Sequence, residues 1–260
     1  MRVLLTNDDG IDSPGLHALA LALADVADVI VVAPATNQSA VARGITIRAE
    51  LEVERRSVPG AREAWALSGT PVDCVRFADV GVLGDPFDLV VAGANLGLNL
   101  GDDVTYSGTV AAAMEGVLLG RPALAVSQQS TAGELHHLRD ARYDFAVAAR
   151  IVPTLAVALG AGALGGDLLL NLNCPRPEAQ GVRVCRLGRR IWRDQVERVD
   201  GHGDRQRFRL YAADSDYHRE PGTDFEAVAD GCVALTPLHV DPTHPEGVER
   251  LEALDLERLL

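Results

Sequence analysis

Short apolar runs alternate along the chain with segments whose apolar residues recur every three or four positions. Val3 to Thr6 is apolar on both parities and predicts a strand. Pro14 to Ala24 places Leu16, Leu19, Ala20 and Leu23 on one helical face. Val29 to Ala33 predicts a second strand, stopped by Pro34. Thr70-Pro71-Val72-Asp73 has the chemistry of a helix start: a hydroxyl at the N-cap, proline at the first position, an acid in the first turn. Asp88 to Ala92 predicts a strand and Gly108 to Leu119 an alanine-rich helix. Ala123 to Val126 and Leu168 to Leu172 predict further strands. Runs such as VIVVA, DLVVA and DLLLNL have no polar parity, as expected of strands covered on both faces. The alternation implies a parallel sheet with helices on each side, an α/β fold.

After about Pro175 the pattern changes. Val182 to Val199 and Phe208 to Ala213 predict long strands around a Gly-His-Gly-Asp turn at Gly201 to Asp204. A ribbon of that length, carrying Trp192 and Tyr211, is poorly stable alone. It packs either on another subunit or back on its own domain. Thr223 then starts a helix through Val228, Cys232 to Thr236 forms a last strand, and Gly247 to Leu260 is an amphipathic helix. The expected organisation is a core over 1–180, a ribbon over 181–216, and a segment over 217–260 that returns to the core.

Charge narrows the partners. The net charge of −13 repels a phosphate backbone over most of the surface, so binding of a nucleic-acid duplex is not expected. All 24 basic residues are arginine. A Walker A lysine, a Schiff-base lysine and a kinase lysine are therefore excluded. Cys74, Cys174, Cys185 and Cys232 form no CxxC pair, which fits reduced thiols rather than a disulfide framework or a zinc knuckle. The apolar run opening the chain is too short for a signal-peptide core. The longest uncharged stretch, Ile151 to Gly166, has 16 residues with Pro153 and four glycines. A membrane span needs roughly 20 apolar residues, so this stretch is expected to be a buried helix and its exit loop. A cytoplasmic protein without membrane contact is the expectation.

Gly160-Ala161-Gly162-Ala163-Leu164-Gly165 matches GxGxxG, but with a helix before it and a strand after it. A dinucleotide fingerprint needs the reverse order, so the match is a loop. Asn7-Asp8-Asp9-Gly10 carries more weight. Its two adjacent carboxylates lie just past the first strand, where a parallel sheet places its ligand crevice. The loop Pro34-Ala35-Thr36-Asn37-Gln38-Ser39 after the second strand is uncharged, and the strand DLVVA runs into Gly93-Ala94-Asn95. Asp8, Asp9, Ser39 and Asn95 thus form an all-oxygen set at three strand ends, suited to Mg²⁺, Mn²⁺ or Ca²⁺. Tyr106-Ser107-Gly108-Thr109 opens the next helix. Ser107 is first of all an N-cap, but a helix start also offers N–H groups to an anion, and Gly108 allows close approach. A divalent ion beside an anion-binding helix start points to phosphate chemistry.

Three families place acids after the first strand. Response regulators need a later lysine, which is absent. Haloacid-dehalogenase phosphatases separate their acids by one residue, whereas these are adjacent. The blocks MRVLLTNDDGIDSPG, VVAPATNQSAVARGIT, SGTPVDCV, DLVVAGANLGLNLGDDVTYSGTVAAAMEG, RPALAVS, NLNCP and GTDFEAV…GCVALTPL resemble, in order, the landmarks of the SurE family of stationary-phase survival proteins. The resemblance runs from residue 1 to about 238. It implies a Rossmann-like three-layer α/β/α core with a mainly parallel sheet and a β-ribbon extension used in oligomerisation. It implies one divalent ion per subunit, Mg²⁺ or Mn²⁺ with Ca²⁺ able to replace it in crystals, on Asp8, Asp9, Ser39 and Asn95. It implies hydrolysis of nucleoside 5′-monophosphates, with 3′-monophosphates a further class, in a homodimer or homotetramer. Ser107, Gly108 and Thr109 are expected to hold the phosphate, and Asp8 to act as the catalytic base. The loop from Ser39 to Thr46 departs from the family pattern: it lacks the usual glycine and has Gly44 where serine is usual, which bears on substrate preference. A haloacid-dehalogenase-like phosphatase with an aspartyl-phosphate and a non-catalytic nucleotide-binding regulator are the alternatives.

Overall fold

The first apolar run becomes β1 (Arg2–Thr6), which feeds α1 (Pro14–Leu23) and returns as β2 (Asp28–Pro34). A computed structural model describes residues 1–135, 141–192, 196–210 and 216–254. Two strands not expected from the sequence follow, β3 (Val53–Arg56) and β4 (Glu63–Leu67), then α2 (Pro71–Phe77). The strand expected at Asp88 extends to β5 (Leu89–Leu96), and α3 (Gly108–Leu118) and β6 (Ala123–Gln128) stand where expected. Next come α4 (Ala146–Gly160), β7 (Leu169–Cys174), β8 (Val182–Val184), β9 (Arg190–Ile191), β10 (Glu197–His202) and β11 (Arg205–Arg209). The described chain closes with β12 (Asp216–Tyr217), α5 (Asp224–Ala229), β13 (Val233–Leu238) and α6 (Pro245–Glu252).

Nine strands form one sheet in the order β3-β4-β2-β1-β5-β6-β7-β13-β8. From β4 to β7 every neighbouring pair is parallel, while β3 and β13 run antiparallel to β4 and β7. The absence of a polar parity has a direct consequence. Val3, Leu5, Val29, Val31, Leu89 and Val91 pack with α1 and α4 on one face; Leu4, Ile30, Val32, Val90 and Ala92 pack with α2 and α3 on the other. Three layers result, as expected. β1 lies between β2 and β5, so successive connections leave it in opposite directions. The crevice at the carboxyl ends of β1 and β5 is therefore a topological switch point. Among the described residues, no helix is long and apolar enough to cross a membrane. The four cysteines are unpaired and buried.

The helix-start reading at Thr70 holds in detail. Thr70 Oγ1 accepts from Asp73 N at 3.2 Å, and Asp73 Oδ2 accepts from Thr70 N at 2.9 Å, a reciprocal capping box. The long-ribbon expectation needs correction. Its first arm breaks into three pieces: β8 joins the edge of the main sheet beside β13, β9 pairs with β12, and only β10 and β11 pair as a ribbon. The break falls at Gly188, where a Cβ would lie 2.7 Å from the Phe225 ring, and whose N–H donates to Asp224. The second arm ends at Arg209, and Tyr211 lies outside the described residues. The buried helix begins at Ala146, five residues before the expected Ile151, and runs through Pro153. The segment at 217–260 returns to the core through β13; α6 buries none of its residues, and residues 255–260 lie outside those described.

Candidate metal and phosphate site

β1 ends at Thr6, and the next four residues make a tight turn. Asn7 Nδ2 donates to Gly10 O at 2.9 Å, and Gly10 N returns a bond to Asn7 Oδ1 at 3.2 Å. Gly10 takes φ +101°, a conformation that favours glycine. The turn presents Asp8 and Asp9 to the crevice. Asp8 is buried, and both its oxygens are met by one residue of α3. The Thr109 hydroxyl donates to Oδ1 at 2.5 Å, and the Thr109 N–H donates to Oδ2 at 3.1 Å. A Cβ at Gly108 would fall 2.8 Å from Asp8 Cβ, so glycine there lets α3 seat directly on the carboxylate. The close approach read from Gly108 is thus an approach to Asp8.

Asn95 stands on the adjoining strand. Its Oδ1 lies 3.5 Å from Thr109 Oγ1, and its Nδ2 donates to Gly97 O at 2.9 Å. Asp9 accepts from Leu96 N at 3.0 Å and from Asn37 Nδ2 at 3.4 Å. Asn37 Oδ1 accepts from Ser39 N at 2.9 Å, and Gln38 N donates to Asp8 O at 2.6 Å. The loop after β2 is therefore tied onto both acids. Asp8 and Asn95 meet through the Thr109 hydroxyl, and Asp9 binds the backbone N–H next to Asn95. Ser39 is exposed and stands one residue removed, through Asn37. Ser107 caps α3, its Oγ accepting from Val110 N at 3.1 Å.

Burial pushes the Asp8 carboxyl up, against the Thr109 bonds that oppose the shift. Burial, with Asp8 beside it, raises Asp9 to about 7. Among the described residues neither acid has a basic partner in an ion pair. Two withdrawn, mutually repelling carboxylates without a cation are what a divalent ion would relieve. Also among the described residues, no group of three or more His, Cys, Asp or Glu side chains is placed to hold a metal. An ion here would rest on two carboxylates and neutral oxygens, a hard-cation set that these residues fit.

Sequence reasoning missed three supports. Asn37 lies in the uncharged loop that drew attention to Ser39, and its adjacency to Ser39 was the available signal. Asp224, fully buried, accepts from Gly101 N, Gly188 N and Phe225 N at 2.8–3.0 Å and fixes the turn leading into α3. Glu115, buried on α3, pairs with Arg76 at 2.5 Å and with Arg43, from the loop carrying Ser39, at 3.3 Å. No local pattern announces these last two.

The chain matches the family described as survival protein SurE over residues 3–194. It is 44% identical over 266 residues to a protein of Rubrobacter xylanophilus named 5′-nucleotidase SurE, covering 100% of this chain and 99% of the relative. A relative of the same name from Chloroflexus aggregans is 42% identical over 261 residues, covering 99% and 100%. A crystal structure of the SurE protein from Aquifex aeolicus superposes with a TM-score of 0.77 at 34% identity, covering 97% of this chain and 100% of that one.

Proposed function

The chain belongs to the survival protein SurE family, and from that premise we propose that it is a divalent-metal-dependent 5′-nucleotidase. It hydrolyses nucleoside 5′-monophosphates, and 3′-monophosphates as a second class, to nucleoside and phosphate. The observation that carries this reading is the Asp8–Asp9 pair at the switch point, the first buried and seated on the start of α3, the second half-buried, neither with a basic partner among the described residues. Asp8, Asp9, Ser39 and Asn95 would hold Mg²⁺ or Mn²⁺. When bound, such an ion polarises a phosphoryl oxygen and offsets negative charge.

The chain's own residues supply the rest. Ser107 Oγ accepts from Val110, so its hydroxyl proton remains to donate to a phosphate oxygen. Gly108 lets the helix start close onto Asp8, which brings the capping Ser107 beside the carboxylate. Thr109 gives both its N–H and its hydroxyl proton to Asp8, so its part is to orient that carboxylate. A carboxylate offers about four acceptor sites, more than the two Thr109 bonds use, so Asp8 can take a proton from an attacking water. Burial, which raises its proton affinity, suits that task.

Homo-oligomerisation is part of the proposal. The β10–β11 ribbon is exposed at every position but Gly201, with Val199 and Phe208 about half open to solvent. A two-stranded ribbon of this kind is marginal in isolation. The test is phosphate release from a panel of nucleotides, with EDTA and then graded Mg²⁺ or Mn²⁺. Activity lost to chelation and restored by metal is expected. Full activity in EDTA would overturn metal dependence, and release from no nucleotide under any metal would overturn the nucleotidase reading.

A further inference from the structure

We infer that Tyr106 and Trp192 form the nucleobase subsite of this enzyme, an inference that rests on the nucleotidase reading and names the part of the substrate it recognises. The chain is poor in aromatic residues, with two Trp, four Tyr and five Phe. Phe87, Tyr217 and Phe225 are buried in the core. Tyr106 and Trp192 remain 56% and 42% exposed, side by side, with ring centroids 6.0 Å apart and planes at 89°.

Both rings are tied to the phosphate end of the site. Tyr106 directly precedes Ser107, so their α-carbons are about 3.8 Å apart. Its carbonyl accepts from Ala42 N at 3.2 Å, in the loop that carries Ser39. Trp192 comes from far along the chain and is anchored through Arg190. The Arg190 side chain is only 5% exposed. Its Nε donates to Asp103 Oδ1 at 2.7 Å, a second nitrogen grips Asp103 Oδ2, and its backbone N donates to Asp102 Oδ2 at 3.0 Å. The same guanidinium lies 5.8 Å from the Trp192 ring centroid and 5.0 Å from that of Phe225. Asp102 and Asp103 belong to a 3-10 turn at Gly101–Thr105, and Tyr106 N donates to Asp103 O at 3.0 Å. One turn therefore fixes both rings relative to the start of α3.

A buried ion pair held by this many bonds preorganises an edge-to-face corner that would otherwise cost side-chain entropy to assemble. A nucleoside monophosphate with its phosphate at Ser107 extends its sugar and base away from the buried acids, toward this corner. A flat, uncharged base gains from an aromatic face, and stacking tolerates any of the four bases. The corner thus distinguishes a nucleotide from a sugar phosphate without a base.

The test compares AMP with ribose 5-phosphate on the intact protein with Mg²⁺. AMP is expected to be preferred in kcat/KM by about five- to hundredfold, the range of one aromatic stack. Tyr106→Ala and Trp192→Ala should each pull that ratio toward one, chiefly through KM, while Tyr106→Phe and Trp192→Phe keep most of it. In Trp65→Phe protein, Trp192 is the remaining tryptophan. AMP should change its fluorescence in a stopped-flow mix before turnover, and ribose 5-phosphate should not. An unchanged ratio in both alanine variants overturns the inference, as does an AMP-insensitive Trp192. So does a Trp192→Ala protein that becomes monomeric with its ratio intact, since the ring then covers a second chain. Hydrolysis of both esters without preference overturns this inference alone; hydrolysis of neither overturns the nucleotidase reading with it.

Discussion

The strand ends of the main sheet and the β10–β11 ribbon both rely on carboxylates, and they use them in opposite ways. At the strand ends the acids are withdrawn from water and accept from groups distant in sequence. Asp8 accepts from Thr109 and Asp9 from Leu96, and Asp224, in the first turn of α5, likewise accepts from Gly101 and Gly188. In the ribbon, Asp200 pairs with Arg207, and Glu197 with Arg209 at 2.6 Å, all in contact with solvent. Water competes for the exposed pairs and salt screens them, so they constrain the chain little. A buried carboxylate must keep its partners or lose its solvation uncompensated, so it fixes the geometry of every segment it touches.

The comparison breaks most visibly at Asp8. Asp8→Asn keeps the shape of the side chain and an oxygen for Thr109, but an amide cannot take a proton from water. Activity should fall about 10²–10⁴-fold and stay low at saturating metal. Asp9→Asn should instead raise the metal concentration needed and recover part of its rate in excess metal. A metal titration of both variants against phosphate release decides. Recovery of Asp8→Asn to near wild type would make Asp8 a ligand only.

A matched pair of substitutions then measures what burial adds. Asp224→Ala strands the N–H groups of Gly101, Gly188 and Phe225 inside the protein. The expected loss is roughly 3 kcal/mol or more, read as a shift in the urea midpoint. Asp200→Ala removes the same chemical group from the ribbon and should leave the midpoint nearly unmoved. Equal shifts would show that the ribbon is as tightly specified as the crevice. Replacing residues 197–209 by a short Gly-Ser turn sharpens the contrast at the level of assembly. The mass in solution should fall to that of a monomer, with the core unfolding midpoint changed by only a few degrees. An unchanged mass would remove the ribbon from the interface. The cut begins after Trp192, so it leaves the Arg190–Asp103 anchor in place.

What the sequence revealed follows the same division. β1, β2, β5, β6 and β7 were legible because burial on both faces removes the polar parity from their sequences. The α2 start was legible because capping is local, needing only Thr70 to Asp73. β3 reads Val-Glu-Arg-Arg at a solvent-facing edge, with one apolar residue in four, and β4 is a short run whose alanines carry little strand preference. The acids were visible at the end of β1, but Thr109 as the partner of Asp8 was not. That pairing spans 101 positions and exists only because β1 and β5 are neighbours with α3 above them. The overlong ribbon failed for a related reason. The contacts that break it, at Gly188 with Asp224 and at Arg190 with Asp103, are tertiary.

A smaller effect than that of Asp224→Ala is expected at Asp73, in the first turn of α2. Burial alone would raise its carboxyl. The Thr46 hydroxyl at 2.6 Å, Thr46 N at 3.0 Å and Thr70 N at 2.9 Å outweigh burial and hold it below the usual carboxylate range. A depressed folded value means that the charged form is the stabilising one. Its contribution is fully present above the unfolded pKa and disappears as pH falls through the folded value. Asp73→Asn keeps one acceptor oxygen and loses the charge, so at pH 7 it should cost about 0.5–2 kcal/mol, the usual scale of a helix cap. On acidification wild type loses the same charge, so the gap between the two proteins should narrow toward pH 3. Urea midpoints of both proteins across that range provide the measurement. A gap that is constant or widens with acid would mean that Asp73 acts through its shape, and that its bonds to Thr46 and Thr70 are no more consequential than the exposed pairs of the ribbon.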